Sequence, residues 1–202
     1  MSVRYLGMSV ADRITLLRIF LSPVFFTVFY LSGLPMFSGL AVLFVTLLWV
    51  ISVIAEISDL FDGMAARKMK EVSDFGKFFD PFADTVFQIT AFLCFVQEGI
   101  FPAVLYLIVI YREFGILFIR NLMQRKGITM GARKSGKAKT ATYITAGTIA
   151  LVYVSMERLN ILVSLQPAIK LTALVVFCIS VCISVISFFD YFSVYLKENK
   201  EK

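Results

Sequence analysis

Four aspartates carry the chemistry this sequence could do. Asp59 and Asp62 stand three residues apart, Asp80 and Asp84 four apart, and Asp62 and Asp80 are separated by 18 positions. At 100° per residue, Asp59, Asp62, Gly63 and Ala66 fall on one stripe of a helix, while Gly76, Asp80 and Asp84 recur at i, i+4 on the next. Two carboxylate pairs can therefore face each other across one gap. Like charges this close repel and raise one another's pKa unless a cation neutralises them. The chain has no His, and oxygen donors alone suit Mg²⁺ or Mn²⁺. The spacing predicts a divalent metal site, with two ions as the expected complement. Gly63, Ala66 and Gly76 leave room for a bulky ligand beside the metals, and Arg67 offers a phosphate partner at the rim. A single Asp here would read as an ordinary juxtamembrane charge, but four in register with the small residues do not.

These residues must be held by helices in a membrane. The 202 residues are 59% hydrophobic and only 17% charged, with a mean hydropathy of +0.84. That leaves too little polar surface for a soluble domain. About 20 apolar residues cross ~30 Å of hydrocarbon, and six stretches reach that length: Ile14 to Gly33, Phe37 to Arg67, Lys77 to Gln97, Pro102 to Arg120, Thr140 to Met156 and Ala168 to Leu196. Residues 1–13 read as a short amphipathic segment on the membrane surface, and 197–202 as a basic tail, so 1–202 reads as one membrane domain with a 14–196 core. Arg18 interrupts the first apolar run and no small-x-small site follows, so that run is expected to stay as a span.

The net charge of +6 does not mark a nucleic-acid binder, because the Lys and Arg sit in alternate connections. Arg67, Lys68, Lys70 and Lys77 follow the second span; Arg125, Lys126, Arg133, Lys134, Lys137 and Lys139 follow the fourth; Lys197, Lys200 and Lys202 end the chain. The positive-inside rule places both termini and all four Asp on the cytoplasmic side. Cys94, Cys178 and Cys182 lie inside apolar runs and are given no chemistry.

The run Asp59-Leu-Phe-Asp62-Gly63-Met-Ala-Ala66-Arg67, eight residues, then Gly76-Lys-Phe-Phe-Asp80-Pro-Phe-Ala-Asp84 fills every position of the DxxDGxxARx8GxxxDxxxD signature, and so resembles the CDP-alcohol phosphotransferases. Asp12-Arg-Ile-Thr15-Leu-Leu-Arg18, Arg112-Glu113 with Arg120, and Gly136-Lys137-Ala-Lys139-Thr140 are similar to the bacterial phosphatidylglycerophosphate synthase branch of that family. Asp12 stands where that branch usually has Asn, Thr85 where Lys is common, and Met130 to Ser135 is more basic than usual.

The resemblance implies an all-α integral membrane fold, six transmembrane helices around a polar cavity open to the cytoplasm, in the cytoplasmic membrane. It also implies transfer of a phosphatidyl group from CDP-diacylglycerol to sn-glycerol 3-phosphate with release of CMP. Asp59, Asp62, Asp80 and Asp84 would hold the metals and Asp84 would act as general base. Asp59, Asp62, Gly63, Ala66, Arg67 and Gly76, with Thr15 near the cytosine end, would bind the nucleotide. Arg112, Arg120, Lys137 and Lys139 would take the acceptor phosphate, since Arg within a span needs an anionic partner or water. Glu113, seven residues from Arg120 on nearly the same face, offers Arg120 a partner, and Arg18 reads equally as a snorkelling anchor. A homodimer follows from the resemblance alone.

Within this class inositol phosphate, serine, choline or phosphatidylglycerol could replace the acceptor. A UbiA-type prenyltransferase would separate its Asp motifs far more widely. A divalent-cation transporter is the rival from another class, but it would want carboxylates near mid-membrane on broken helices.

Overall fold

A computed structural model describes residues 10–69, 74–125, 128 and 134–200, with side-chain surroundings for 15–58, 79–125, 128 and 135–197. Among these residues there is no strand. Six α-helices follow in order: α1 (Val10–Ser32), α2 (Ala41–Met69), α3 (Asp74–Gln97), α4 (Ala103–Arg125), α5 (Lys134–Arg158) and α6 (Gln166–Lys200). Short 3-10 helices over Pro35–Leu40 and Val163–Leu165 lead into α2 and α6.

Each apolar run of the sequence falls on one helix, and several helices outrun the apolar part. α2 has 29 residues and α6 has 35, about 44 and 52 Å at ~1.5 Å per residue, more than the hydrocarbon needs. The extra turns belong to the charged ends, where water and headgroups tolerate them. α1 begins at Val10, so residues 10–13 of the expected surface segment belong to the first helix, and residues 1–9 lie outside the described residues.

Four stretches are long and apolar enough to cross a bilayer: Thr15–Ser32, Pro35–Ser58, Phe79–Gln97 and Val163–Lys197. They mark a multi-pass membrane protein. α4 is less apolar because it carries an inward-facing ion pair, and α5 because threonines and lysines are spread along it. On α4, Arg112 and Glu113 are buried while Val104, Tyr111, Phe114 and Phe118 are exposed. Helices that turn charge inward and large apolar groups outward suit lipid rather than water.

The packing follows from small residues. α5 and α6 form the most extensive pair, and α1 packs on both α2 and α3. Ala146 and Ala150 on α5 are fully buried, as are Ala173, Phe177, Ser180 and Ser187 on α6. Small faces at helical spacing bring backbones close. Buried serines on this stripe either bond back to their own helix, as Ser180 does to Val176 (2.7 Å), or accept from the neighbouring helices. Below the site, Phe92 meets the rings of Phe101, Tyr143 and Phe177 edge-on at 5.2–5.5 Å between centroids, and Phe101 stacks on Phe177 at 3.9 Å. This aromatic plug closes the end of the bundle away from the aspartates. The turn after α3 there uses Gly99 at φ +63°, a conformation costly for other residues.

Candidate active site

The two α3 aspartates are reached from α1. Thr15 is fully buried, and its hydroxyl donates to Oδ1 of Asp80. Arg18, three residues on and 2% exposed, forms an ion pair through Nη1 with Oδ1 of Asp84. The i, i+3 pair on α1 thus grips the i, i+4 pair on α3 along one seam, and each carboxylate is fixed by a partner from another helix. Pro81 lies between them inside α3, and Thr85 bonds back to the Pro81 carbonyl (2.8 Å), satisfying its hydroxyl within the helix. At this position a small buried hydroxyl borders the cavity where the branch commonly has an ammonium.

Asp59, Asp62, Gly63, Ala66 and Arg67 fall on the last turns of α2 and Gly76 on the first turn of α3, as the spacing predicts. Their side-chain surroundings lie outside the described residues, as do those of Asp12. Ala55, Glu56 and Ile57, one turn before Asp59, line the cavity, so this end of α2 borders the same space. Among the described residues, no cluster of three or more metal-ligating side chains occurs.

The cavity holds about 740 Å³ and is lined by Arg18 and Asp84 on one side and by Arg112, Glu113, Arg120, Lys137, Lys139 and Tyr191 on the other. The candidate donor and acceptor sites therefore share one chamber. Arg112 is buried; its Nε donates to the Ser184 carbonyl (3.1 Å), Nη1 to Glu113 Oε1 (2.9 Å) and Nη2 to Ser187 Oγ (3.1 Å). Lys139 donates to the same Glu113 oxygen at 3.1 Å and lies 4.7 Å from the centre of the Tyr143 ring. Tyr143 in turn donates to Ser184 Oγ (2.7 Å).

Arg120 is not Glu113's partner, contrary to the sequence expectation. α5 brings Lys139 onto Glu113 and the adjacent Arg112 folds back onto it, whereas Arg120 reaches Tyr191 on α6. Its Nε is buried without a hydrogen-bond partner. Lys137 is exposed and lines the same wall. Among the α4 and α5 residues of the lining, four cations stand against one carboxylate, a local excess of positive charge that favours an anion.

The structure also replaces the snorkelling reading of Arg18, because that side chain points into the protein rather than to the interface. Thr15 borders the carboxylates through Asp80, and its hydroxyl is committed there. Tyr191 and the α6 serines escaped the sequence reading. Their signal is one polar stripe, Ser180, Ser184, Ser187 and Tyr191, running at helical spacing through an apolar span.

The family model described as CDP-alcohol phosphatidyltransferase matches residues 8–185, nearly the whole chain including both aspartate pairs. The chain belongs to the CDP-alcohol phosphatidyltransferase family. Among its relatives, the protein named CDP-diacylglycerol–glycerol-3-phosphate 3-phosphatidyltransferase from Treponema pallidum is 36% identical over 135 residues, 66% of this chain and 62% of that protein. The protein of the same name from Bacillus subtilis is 35% identical over 104 residues, 52% of this chain and 54% of its own length. The chain thus spans less than two thirds of the length of either. A protein of Mycobacterium tuberculosis H37Rv named probable phosphatidylglycerophosphate synthase is 28% identical over 183 residues, 91% of this chain and 79% of that one. The signature of this family member sits on α2 and α3, and its GKxKT run, Gly136 to Thr140, opens α5 at the cavity wall.

Proposed function

We propose that this protein transfers the phosphatidyl group of CDP-diacylglycerol to sn-glycerol 3-phosphate, giving phosphatidylglycerophosphate and CMP. What carries this reading is one cavity lined by Asp84 of α3 together with Arg112, Arg120, Lys137 and Lys139. A donor that carries a pyrophosphate and an acceptor that carries its own phosphate require such a pairing of sites. The names of the Treponema and Bacillus relatives support the same reaction.

Asp59, Asp62, Asp80 and Asp84 would hold Mg²⁺ or Mn²⁺, two ions being the expected complement. The donor chemistry fits: Asp80 and Asp84 stand one turn apart on α3, are fixed across helices by Thr15 and Arg18, and offer oxygen alone. When bound, the ions would neutralise the pyrophosphate charge as the transition state develops.

The remaining work falls to the chain. Gly63, Ala66, Arg67 and Gly76 form the nucleotide surface, with Thr15 supporting it through Asp80. Arg112, Arg120, Lys137 and Lys139 take the acceptor phosphate, with Arg supplying bidentate recognition. Glu113 splits its charge between Arg112 and Lys139 and keeps these two cations from repelling each other when the acceptor is absent. Asp84, oriented by Arg18, accepts the proton of the attacking hydroxyl. The new P–O bond forms to that hydroxyl oxygen, the P–O bond to CMP breaks, and CMP leaves with the electron pair.

The same reading places six helices across the cytoplasmic membrane as a single domain, with the cavity and both termini facing the cytoplasm, and the protein as a homodimer. α4 and α5 qualify as spans because Arg112, Glu113, Arg120, Lys137 and Lys139 line the cavity. The test follows radiolabelled sn-glycerol 3-phosphate into extractable lipid. Incorporation should require both CDP-diacylglycerol and Mg²⁺ or Mn²⁺ and should vanish in Asp80→Ala. Incorporation that persists in Asp80→Ala would overturn the assignment of the site.

A further inference from the structure

The cations on the acceptor side of the cavity come from two helices, and one residue of a third helix touches Arg120 of the first and Gly136, beside the lysines, of the second. Tyr191 is 1% exposed and lines the cavity. Its hydroxyl accepts from Arg120 Nη2 at 3.3 Å, and the Arg120 guanidinium lies 5.3 Å from the centre of its ring. On the other side the Tyr191 hydroxyl presses on the backbone of Gly136, where an added Cβ would stand 3.2 Å from it. The preceding residue of α6, Asp190, accepts from Ser135 Oγ at 2.8 Å. Asp190 and Tyr191 thus clamp the first turn of α5, which carries Lys137 and leads into Lys139, while Tyr191 also holds Arg120 of α4.

We propose that Tyr191 is a positioning residue for the acceptor anion. Its hydroxyl occupies one terminal nitrogen of Arg120 and its ring supports the flat face of the guanidinium. That leaves the edge bearing the buried, unpartnered Nε for a phosphate oxygen. Gly136 then has a spatial reason: a side chain there would push the α5 entry away from Tyr191, and Lys137 and Lys139 with it. The inference rests on the acceptor reading above, but its observable is wider, because the arrangement recognises any small phosphate.

The test uses the full-length protein in detergent and two readouts: equilibrium binding of inorganic phosphate, and the KM for sn-glycerol 3-phosphate in CMP release. Tyr191→Phe keeps the ring and removes the hydroxyl, so phosphate binding should weaken by about tenfold, in line with one hydrogen bond to a charged group. The KM for sn-glycerol 3-phosphate should rise by about the same factor, while kcat and the KM for CDP-diacylglycerol move less than about twofold. Gly136→Ala should weaken phosphate binding in the native background, and the added loss should shrink in Tyr191→Phe, where the atom it meets is gone. Alanine is favourable inside a helix, so this second variant separates misplacement from misfolding.

If the native protein binds phosphate but gives no turnover with sn-glycerol 3-phosphate, the acceptor reading fails, and the phosphate arm still judges Tyr191. Native phosphate affinity in Tyr191→Phe, equal weakening toward both substrates, or full additivity of the two substitutions would each overturn the proposal. So would a native protein that binds no phosphate.

Discussion

Replacing Arg18 by Gln tests whether α1 takes part in the chemistry. Arg18 is 2% exposed, so its charge is fully withdrawn from water, whereas the Asp84 side chain with which it pairs is 45% exposed and opens to the cavity. Breaking a fully buried pair costs about 3–5 kcal/mol. Water at the open carboxylate screens this one, and the loss expected in orienting Asp84 is about 1.5–2 kcal/mol, near the value of a hydrogen bond to a charged group. At ~1.4 kcal/mol per factor of ten, kcat should fall by roughly 10- to 30-fold, with the KM for sn-glycerol 3-phosphate little changed. The assay is CMP release at saturating CDP-diacylglycerol, run as a double-mutant cycle with Asp84→Asn. In the Asp84→Asn background the Arg18→Gln penalty should shrink to about twofold or less, because the partner to be oriented is gone. A kcat within twofold of native, or the same penalty in both backgrounds, would contradict this role and leave Arg18 only a structural tie between α1 and α3.

Chelation of divalent cations should abolish CMP release, and added Mg²⁺ or Mn²⁺ should restore it; activity that survives exhaustive chelation would contradict the carboxylate assignment. Glu113→Gln leaves Arg112 and Lys139 sharing a buried neutral group, at a cost of about 3 kcal/mol. The thermal midpoint in detergent should drop by roughly 6–12 °C on the usual scale for a chain of this size, and an unmoved midpoint would show that the pair of cations does not depend on it. Phe177 lies outside the cavity lining and is fully buried against Phe101 and Phe92. Phe177→Ala should therefore cost about 3 kcal/mol of stability while leaving the KM for sn-glycerol 3-phosphate within about twofold, as read by thermal unfolding beside steady-state kinetics.

Local regularities made much of this molecule legible in advance. The apolar runs report lipid exposure directly, so each helix lies where its run does, and the extra turns at α2 and α6 follow from charge at the ends. Asp80 and Asp84 share a face because four residues make about one turn. Arg112 stood out because a guanidinium flanked by Ile110 and Tyr111 needs a reason to be there. Pairings between distant helices were not legible. Arg18 finds Asp84 because α1 packs on α3, and Arg120 finds Tyr191, 71 residues on, because α4 crosses α6. Glu113 illustrates the limit: spacing along α4 offered Arg120, but Lys139 arrived from α5 and the neighbouring Arg112 closed the set. Helical periodicity says which side chains share a face, and only tertiary packing says what that face meets.

In the proposed mechanism one cavity joins a metal-dependent donor site to a phosphate-selective acceptor site. CMP release by the purified protein, with CDP-diacylglycerol, Mg²⁺ or Mn²⁺, and in turn sn-glycerol 3-phosphate, inositol phosphate, serine, choline or phosphatidylglycerol, tests it most directly. Release with sn-glycerol 3-phosphate, far above every other acceptor and lost in Asp80→Ala, is the predicted result. Release with serine or choline as fast as with sn-glycerol 3-phosphate, or no release with any acceptor beside metal uptake into vesicles, would contradict it.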